Sequence, residues 1–103
     1  MAEGVWLEAA LNGPWTRQRQ PGIPVTPVEI VEEAVACADA GAAIVHLHAY
    51  DEDSGRPREA YDLYAPVFEA IRGRRDVICY PTVPMGARPS QGPAEARARY
   101  EVV

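Results

Sequence analysis

Long apolar runs are missing from this sequence. No segment approaches the ~18–20 consecutive apolar residues that a bilayer-spanning helix requires, so no membrane partner is expected. The amino terminus, Met1-Ala2-Glu3-Gly4, lacks a basic region and leads into no long hydrophobic stretch, so no signal peptide is expected either. Basic charge is also short: ten Lys+Arg stand against fifteen Asp+Glu, for a net charge of −5. A nucleic-acid binder carries a basic surplus, and that class is not expected. Cysteine is scarce. Cys37 and Cys79 sit inside apolar runs and read as reduced, buried, small hydrophobes of a cytoplasmic protein.

What is present is ordinary. The chain has 103 residues, 48% hydrophobic and 24% charged, which is the size of one small domain and close to a soluble globular average. Ten prolines and eight glycines lie at punctuation points rather than in a low-complexity tract. A disordered tail, a collagen and a coiled coil are excluded on that ground.

The hydrophobic pattern predicts alternating strands and helices. Val5 to Asn12 is a short apolar segment ended by Gly13-Pro14 and reads as a strand. A proline- and arginine-containing loop follows to Val25. Thr26, Pro27 and Glu29 then form a capping box with proline at the first helical position. Ile30, Val31, Ala34, Val35 and Ala38 recur at helical spacing, and Gly41 supplies a left-handed cap. The first helix is predicted over Pro27–Ala40. Ala42 to Ala49 is almost continuously apolar, as a strand covered on both faces should be. Asp51 to Pro57 is a polar turn. Ala60 to Arg72 reads as a second helix that Pro66 must kink or begin. Val77 to Thr82 is a third strand, Gly86 to Gly92 a loop, and Pro93 opens a third helix.

This order predicts parallel strands joined by helical crossovers. Three such units leave open sheet edges, and the last helical pattern reaches Val103 without a stop signal. The fold class expected is α/β, the first three units of a (β/α)8 TIM barrel of about 250 residues. Residues 1–103 are then an N-terminal fragment of a single barrel domain.

The strongest chemical signal is His46-Leu47-His48. Residues i and i+2 of a strand share a face, so Ile44, His46 and His48 lie opposite Val45, Leu47 and Ala49. The apolar set suits packing against helices. The histidines then stand on the other face at the strand's carboxyl end, where parallel α/β folds place their active sites. Two imidazoles about 6–7 Å apart at Cα can grip one metal ion. Zinc is the leading candidate, since imidazole suits it and it needs no redox partner. A catalytic zinc wants three protein ligands, and the third is expected beyond Val103.

Other residues are candidates by position. Asn12 ends the first strand and is placed to touch a ligand. Arg17 and Arg19 lie in the following loop, and a guanidinium there can hold a carboxylate or phosphate. For Arg19 a solvated loop position is the preferred reading. Thr82 ends the third strand and can offer a hydroxyl to a bound carboxylate. Glu8, mid-strand with Trp6, Ala10 and Asn12, reads as one half of an ion pair inside the sheet, or as a carboxylate that orients a histidine.

These residues resemble a known family. Leu7 to Gly13 (LEAALNG), Thr16-Arg17, Gln20-Pro21 and Pro24-Val25-Thr26-Pro27 look like the first strand and loop of the β-keto acid cleavage enzymes. Ala40 to His48 (AGAAIVHLH) looks like their second strand. The resemblance implies a TIM barrel, an oligomer, and a zinc ion held by His46, His48 and a later glutamate. It implies acyl transfer between a β-keto acid and acetyl-CoA, giving acetoacetate and a new acyl-CoA. Thr82 falls where the family places small hydroxyl residues near the substrate carboxylate. Pro14 and Trp15 depart from the pattern, since many members carry a glutamate after the strand-ending glycine. Tyr50 departs too, standing where many have arginine.

Two alternatives remain. One is a metal-dependent barrel hydrolase of the amidohydrolase type, which also uses an HxH pair but prefers its first strand. The other is a non-catalytic truncated product or interaction module. On the leading reading the isolated 103-residue chain is expected to be inactive, and the full-length protein to be a homo-oligomer.

Overall fold

The computed structural model describes residues 4–82; the expected loop from Gly86 and the helix from Pro93 lie outside them. Helix α1 runs Pro27–Asp39, with Ala40 as its C-cap. Its start follows from local chemistry. Thr26 stays extended and its side chain accepts from the Glu29 N–H. The Glu29 carboxylate reaches back to the N–H groups of Val25 and Thr26, each at 3.0 Å. At the other end Gly41 adopts φ 117°. That conformation lets Gly41 N–H bond the Ala38 carbonyl at 3.1 Å and Ala42 N–H bond the Cys37 carbonyl at 3.0 Å, the paired bonds of a Schellman motif.

The backbone donors of Val25 and then Thr26, with help from Arg17, hold the Glu29 carboxyl at about 2 against an ordinary 4.5. A carboxyl lowered in the folded state stabilises it fully above the unfolded value and stops doing so as pH falls through the folded one. The cap is therefore expected to weaken between pH 4.5 and about 2. Circular dichroism should show α1 helicity falling more steeply over that window in the wild type than in Glu29→Gln, whose cap cannot titrate. Superimposable curves would contradict this account of the cap.

Three strands follow the expected order, each shorter than its apolar segment. They are β1 (Glu8–Ala10), β2 (Ile44–Leu47) and β3 (Ile78–Pro81). They form one parallel sheet in the order β1-β2-β3. The ends drop out for identifiable reasons. Ala42 is taken by the helix cap, and the N–H groups of Ala43 and Ile44 both turn to the Leu7 carbonyl. Val5, Trp6 and Leu7 extend past the ladder and are exposed, Val5 at 90%. The expected strand from Val5 is thus confined to three paired residues.

Helix α2 covers Tyr61–Arg74 with Pro66 inside it. Pro66 neither begins the helix nor divides it. It is exposed, and its ring nitrogen leaves the Asp62 carbonyl without an i+4 donor. Pro66→Ala is expected to stabilise the fold by about 1–3 kcal/mol. A thermal midpoint that stays level or falls would contradict that.

Both helices pack on the same face of the sheet. Ile30, Val31, Ala34 and Val35 of α1 and Tyr64, Val67 and Ile71 of α2 enclose Val45, Leu47 and Ala49. Val45 and Leu47 are fully buried, and burying each contributes about 1.5–3 kcal/mol. Among the described residues nothing covers the opposite face, where Ile78 and Tyr80 are exposed. Sequential strand order with both crossovers on one side is the arrangement a closed barrel continues; a doubly wound sheet reverses order and carries helices on both faces. No helix among the described residues is long and apolar enough to cross a membrane.

Candidate functional site

Strand parity on β2 decides the site. With Val45 and Leu47 turned into the helices, His46 and His48 point to the open face. Their Nε2 atoms converge on one place, the hydroxyl of Thr82 just past β3, at 3.2 Å from His46 and 3.1 Å from His48. The two rings stand 5.5 Å apart and nearly perpendicular. The sequence-predicted trio of His46, His48 and Thr82 is therefore brought together.

The surroundings hold each ring differently. His46 stacks on Tyr80 with ring centroids 4.5 Å apart, and the Tyr80 hydroxyl bonds the Glu8 carboxylate. Glu8 is exposed on the open face and makes no ion pair among the described residues. The expected ion pair inside the sheet is replaced by this hydrogen bond across β2. It pushes the Tyr80 phenol above its ordinary pKa. On the other side, His48 Nδ1 lies 3.4 Å from Glu59 Oε1. Glu59 Oε2 accepts from the Tyr64 hydroxyl, and that hydroxyl oxygen accepts from the Thr82 N–H at 3.4 Å. Burial, and then the Glu59 contact, push the Tyr64 phenol far above its usual range.

With Glu59 ionised and His48 neutral, one proton arrangement satisfies this chain. His48 Nδ1–H donates to Glu59, the Thr82 hydroxyl donates to His48 Nε2, and His46 Nε2–H donates to the Thr82 oxygen. It leaves His46 Nδ1 buried and without a hydrogen-bond partner among the described residues. Two imidazole nitrogens facing one point, one backed by a carboxylate, fit a metal that takes imidazole. No group of three or more His, Cys, Asp or Glu residues placed to hold a metal occurs among the described residues.

Asn12 sits where the sequence placed it but serves a different purpose. Its side chain is buried at 4% exposure. Its amide nitrogen donates to the His48 carbonyl at 2.9 Å and the Pro24 carbonyl at 3.1 Å, and its oxygen accepts the His48 N–H at 2.9 Å. Regular pairing ends at Leu47, and the Asn12 amide takes over both backbone groups of His48. These three bonds give Asn12 a positioning role toward His48. Arg17 is likewise committed elsewhere. Its guanidinium bonds Glu29 and the Ile23 carbonyl rather than either histidine. Arg19 lies over the Trp15 ring, 4.3 Å from its centroid. Tyr50 ties the first loop to β2. Its hydroxyl lies 2.6 Å from the Trp15 carbonyl oxygen and 2.8 Å from that of Gly13.

Three contributors escaped the sequence reading. Tyr80 carried a usable signal, since it shares a strand face with Thr82 at a spacing of two. The Tyr64 hydroxyl was hidden by the residue's place in the apolar stripe of α2. Glu59 stands between the polar turn and the helix, where no periodicity singles it out.

Residues 4–103 match the profile of the beta-keto acid cleavage enzyme family. Over 88 residues the chain is 39% identical to 3-dehydrocarnitine:acetyl-CoA trimethylamine transferase of Rhizobium meliloti, a match covering 84% of this chain and 29% of that protein. Over 84 residues it is 38% identical to 3-keto-5-aminohexanoate cleavage enzyme of Fusobacterium nucleatum, covering 80% of this chain and 30% of that protein. Over 73 residues it is 37% identical to 3-oxoadipate:acetyl-CoA acetyltransferase of Cupriavidus necator, covering 70% of this chain and 25% of that protein. The chain thus spans under a third of the length of these relatives.

Proposed function

This chain belongs to the beta-keto acid cleavage enzyme family, and from that premise we propose that it supplies the metal-holding and carboxylate-binding part of an acyl-transferring enzyme. The whole enzyme takes a β-keto acid and acetyl-CoA and gives acetoacetate and a new acyl-CoA. The observation that carries this reading is the convergence of His46 Nε2 and His48 Nε2 on Thr82 Oγ at the carboxyl end of the sheet. Two relatives, 3-dehydrocarnitine:acetyl-CoA trimethylamine transferase and 3-oxoadipate:acetyl-CoA acetyltransferase, support acetyl-CoA as the second substrate.

In this reading His46 and His48 hold zinc through Nε2, the His46 proton moving to Nδ1, with further ligands from outside residues 4–82. Zinc bound there supplies Lewis acidity toward the keto carbonyl. The chain's own residues orient the reactants. Thr82 offers its hydroxyl to the substrate carboxylate beside the imidazoles. Tyr80 covers one face of His46 and restricts its rotation. Asn12 fixes the backbone of His48, so the imidazole leaves the strand at a set angle. Arg17, which the sequence placed near a substrate carboxylate, here braces the first loop against α1. The bond between C2 and C3 of the keto acid breaks. The two-carbon carboxylate unit joins the acetyl carbonyl as that carbonyl's bond to the CoA sulfur breaks, and the freed CoA thiolate takes up the remaining acyl group at C3. A complete (β/α)8 barrel, homo-oligomeric and cytoplasmic, completes the proposal, with later strands covering the open face at Ile78 and Tyr80.

The test follows the acetyl group. The whole protein carrying this chain is given β-keto acids and acetyl-CoA labelled with carbon-13 in the acetyl moiety. The label is expected in acetoacetate and absent from the new acyl-CoA, and His46→Ala should lower turnover by about 10²–10³-fold or more. Ester or amide hydrolysis without a CoA requirement would overturn the proposal in favour of a barrel hydrolase.

A further inference from the structure

We propose that Glu59 and Tyr64 form a positioning brace that decides which nitrogen of His48 is left open and where Thr82 stands beside it. This deepens the reading of the same site and rests on it only for the zinc arm of the test below.

Four residues close a ring of hydrogen bonds. His48 Nδ1 meets Glu59 Oε1 at 3.4 Å. Glu59 Oε2 accepts from the Tyr64 hydroxyl. The Tyr64 oxygen accepts the Thr82 N–H at 3.4 Å, and Thr82 Oγ returns to His48 Nε2 at 3.1 Å. The ring joins the end of β2, the segment before α2, the first turn of α2 and the end of β3. It is sheltered: the His48 and Glu59 side chains are 10% and 15% exposed, and Tyr64 is 1% exposed.

The chemistry gives the ring a direction. An ionised carboxylate only accepts, and a sheltered one is costly unless donors face it. Glu59 has two donors available, Tyr64 O–H on one oxygen and His48 Nδ1–H on the other. The proton on Nδ1 leaves Nε2 as a lone pair aimed at the point shared with His46. Without Glu59 nothing among the contacts of His48 holds the proton on Nδ1, and the Nε2–H form closes that lone pair. Tyr64 keeps the carboxylate turned toward His48 and anchors Thr82 through its amide. Glu59 and Tyr64 therefore act through His48 and Thr82, without touching substrate.

Residues 1–103 contain two histidines, and in the whole protein their ring nitrogens are assigned by the signals that disappear in His46→Gln and His48→Gln. Nitrogen-15 histidine labelling with long-range proton–nitrogen correlation reads the tautomers directly, without metal or substrate, at a pH above the ordinary imidazole range. In the wild-type protein His48 is expected as the Nδ1–H form. Glu59→Leu should move it toward Nε2–H while His46 keeps its pattern, and Tyr64→Phe, which releases the carboxylate that Tyr64 holds toward His48, should move it the same way by a smaller amount. Zinc titration of the whole protein should show affinity falling about 10–100-fold in Glu59→Leu. An Nε2–H form of His48 in the wild type overturns the proposal even if Glu59→Leu does not fold. An unchanged His48 tautomer in a folded Glu59→Leu overturns it too. A wild type that binds no zinc but shows the expected tautomers overturns the zinc reading alone.

Discussion

Replacing Asn12 with alanine is expected to cost the fold about 3–5 kcal/mol. The side chain makes three hydrogen bonds inside a nearly closed environment, two as donor and one as acceptor. Each backbone group left unpaired costs about 1–3 kcal/mol, and three groups toward the low end of that range give this figure. His48 loses partners for both its N–H and its carbonyl, just past the end of the ladder. Against a total stability of about 5–15 kcal/mol for a small domain, the loss is a large share. Asn12→Asp is no rescue, since a carboxylate cannot donate and would face two carbonyl oxygens. Urea denaturation of wild type and both variants measures this. A loss below about 1 kcal/mol for Asn12→Ala would mean that water replaces the amide.

The second large effect is on metal affinity. Removing either imidazole takes away one of the two nitrogens that face the Thr82 hydroxyl. Loss of a residue that merely supports a ligand costs about 10–100-fold in metal affinity, so loss of a ligand should cost more. His46→Ala and His48→Ala should each exceed that range in competition with a chromophoric chelator, and the double variant should fall to background. Cys37 and Cys79 offer no substitute. Both pack against the core under the helices, on the face away from the histidines, and burial pushes each thiol above its ordinary pKa. Retention of wild-type affinity in either single variant would place the metal elsewhere.

The sequence was most informative where a single physical rule acts alone. Thr26, Glu29 and Gly41 mark both ends of α1 because capping is a matter of a few neighbouring atoms. The alternation Val45-His46-Leu47-His48 fixed which side chains meet the helices, because period two admits no other assignment once the core is known. Thr82 followed from its place at the end of β3. Strand lengths were less legible, since a strand extends only as far as its neighbour and Val5 to Leu7 run past theirs. The role of Asn12 was hidden because its three partners are backbone atoms, which no side-chain pattern reveals. Glu8 departs from the ion pair that its strand position suggests because the open face leaves it in solvent, where a phenol suffices as partner. Glu59 and the Tyr64 hydroxyl join the site through a contact between a loop and a helix face, and neither leaves a mark in periodicity.

The most direct test of the central claim, that His46 and His48 hold the metal, is zinc K-edge X-ray absorption on the whole protein loaded with one equivalent of zinc. The account predicts nitrogen and oxygen neighbours at about 2.0–2.2 Å with outer-shell scattering from two imidazoles. His46→Ala should remove one imidazole from that pattern. A sulfur shell at about 2.3 Å, or an imidazole signal that both single variants leave intact, would contradict it.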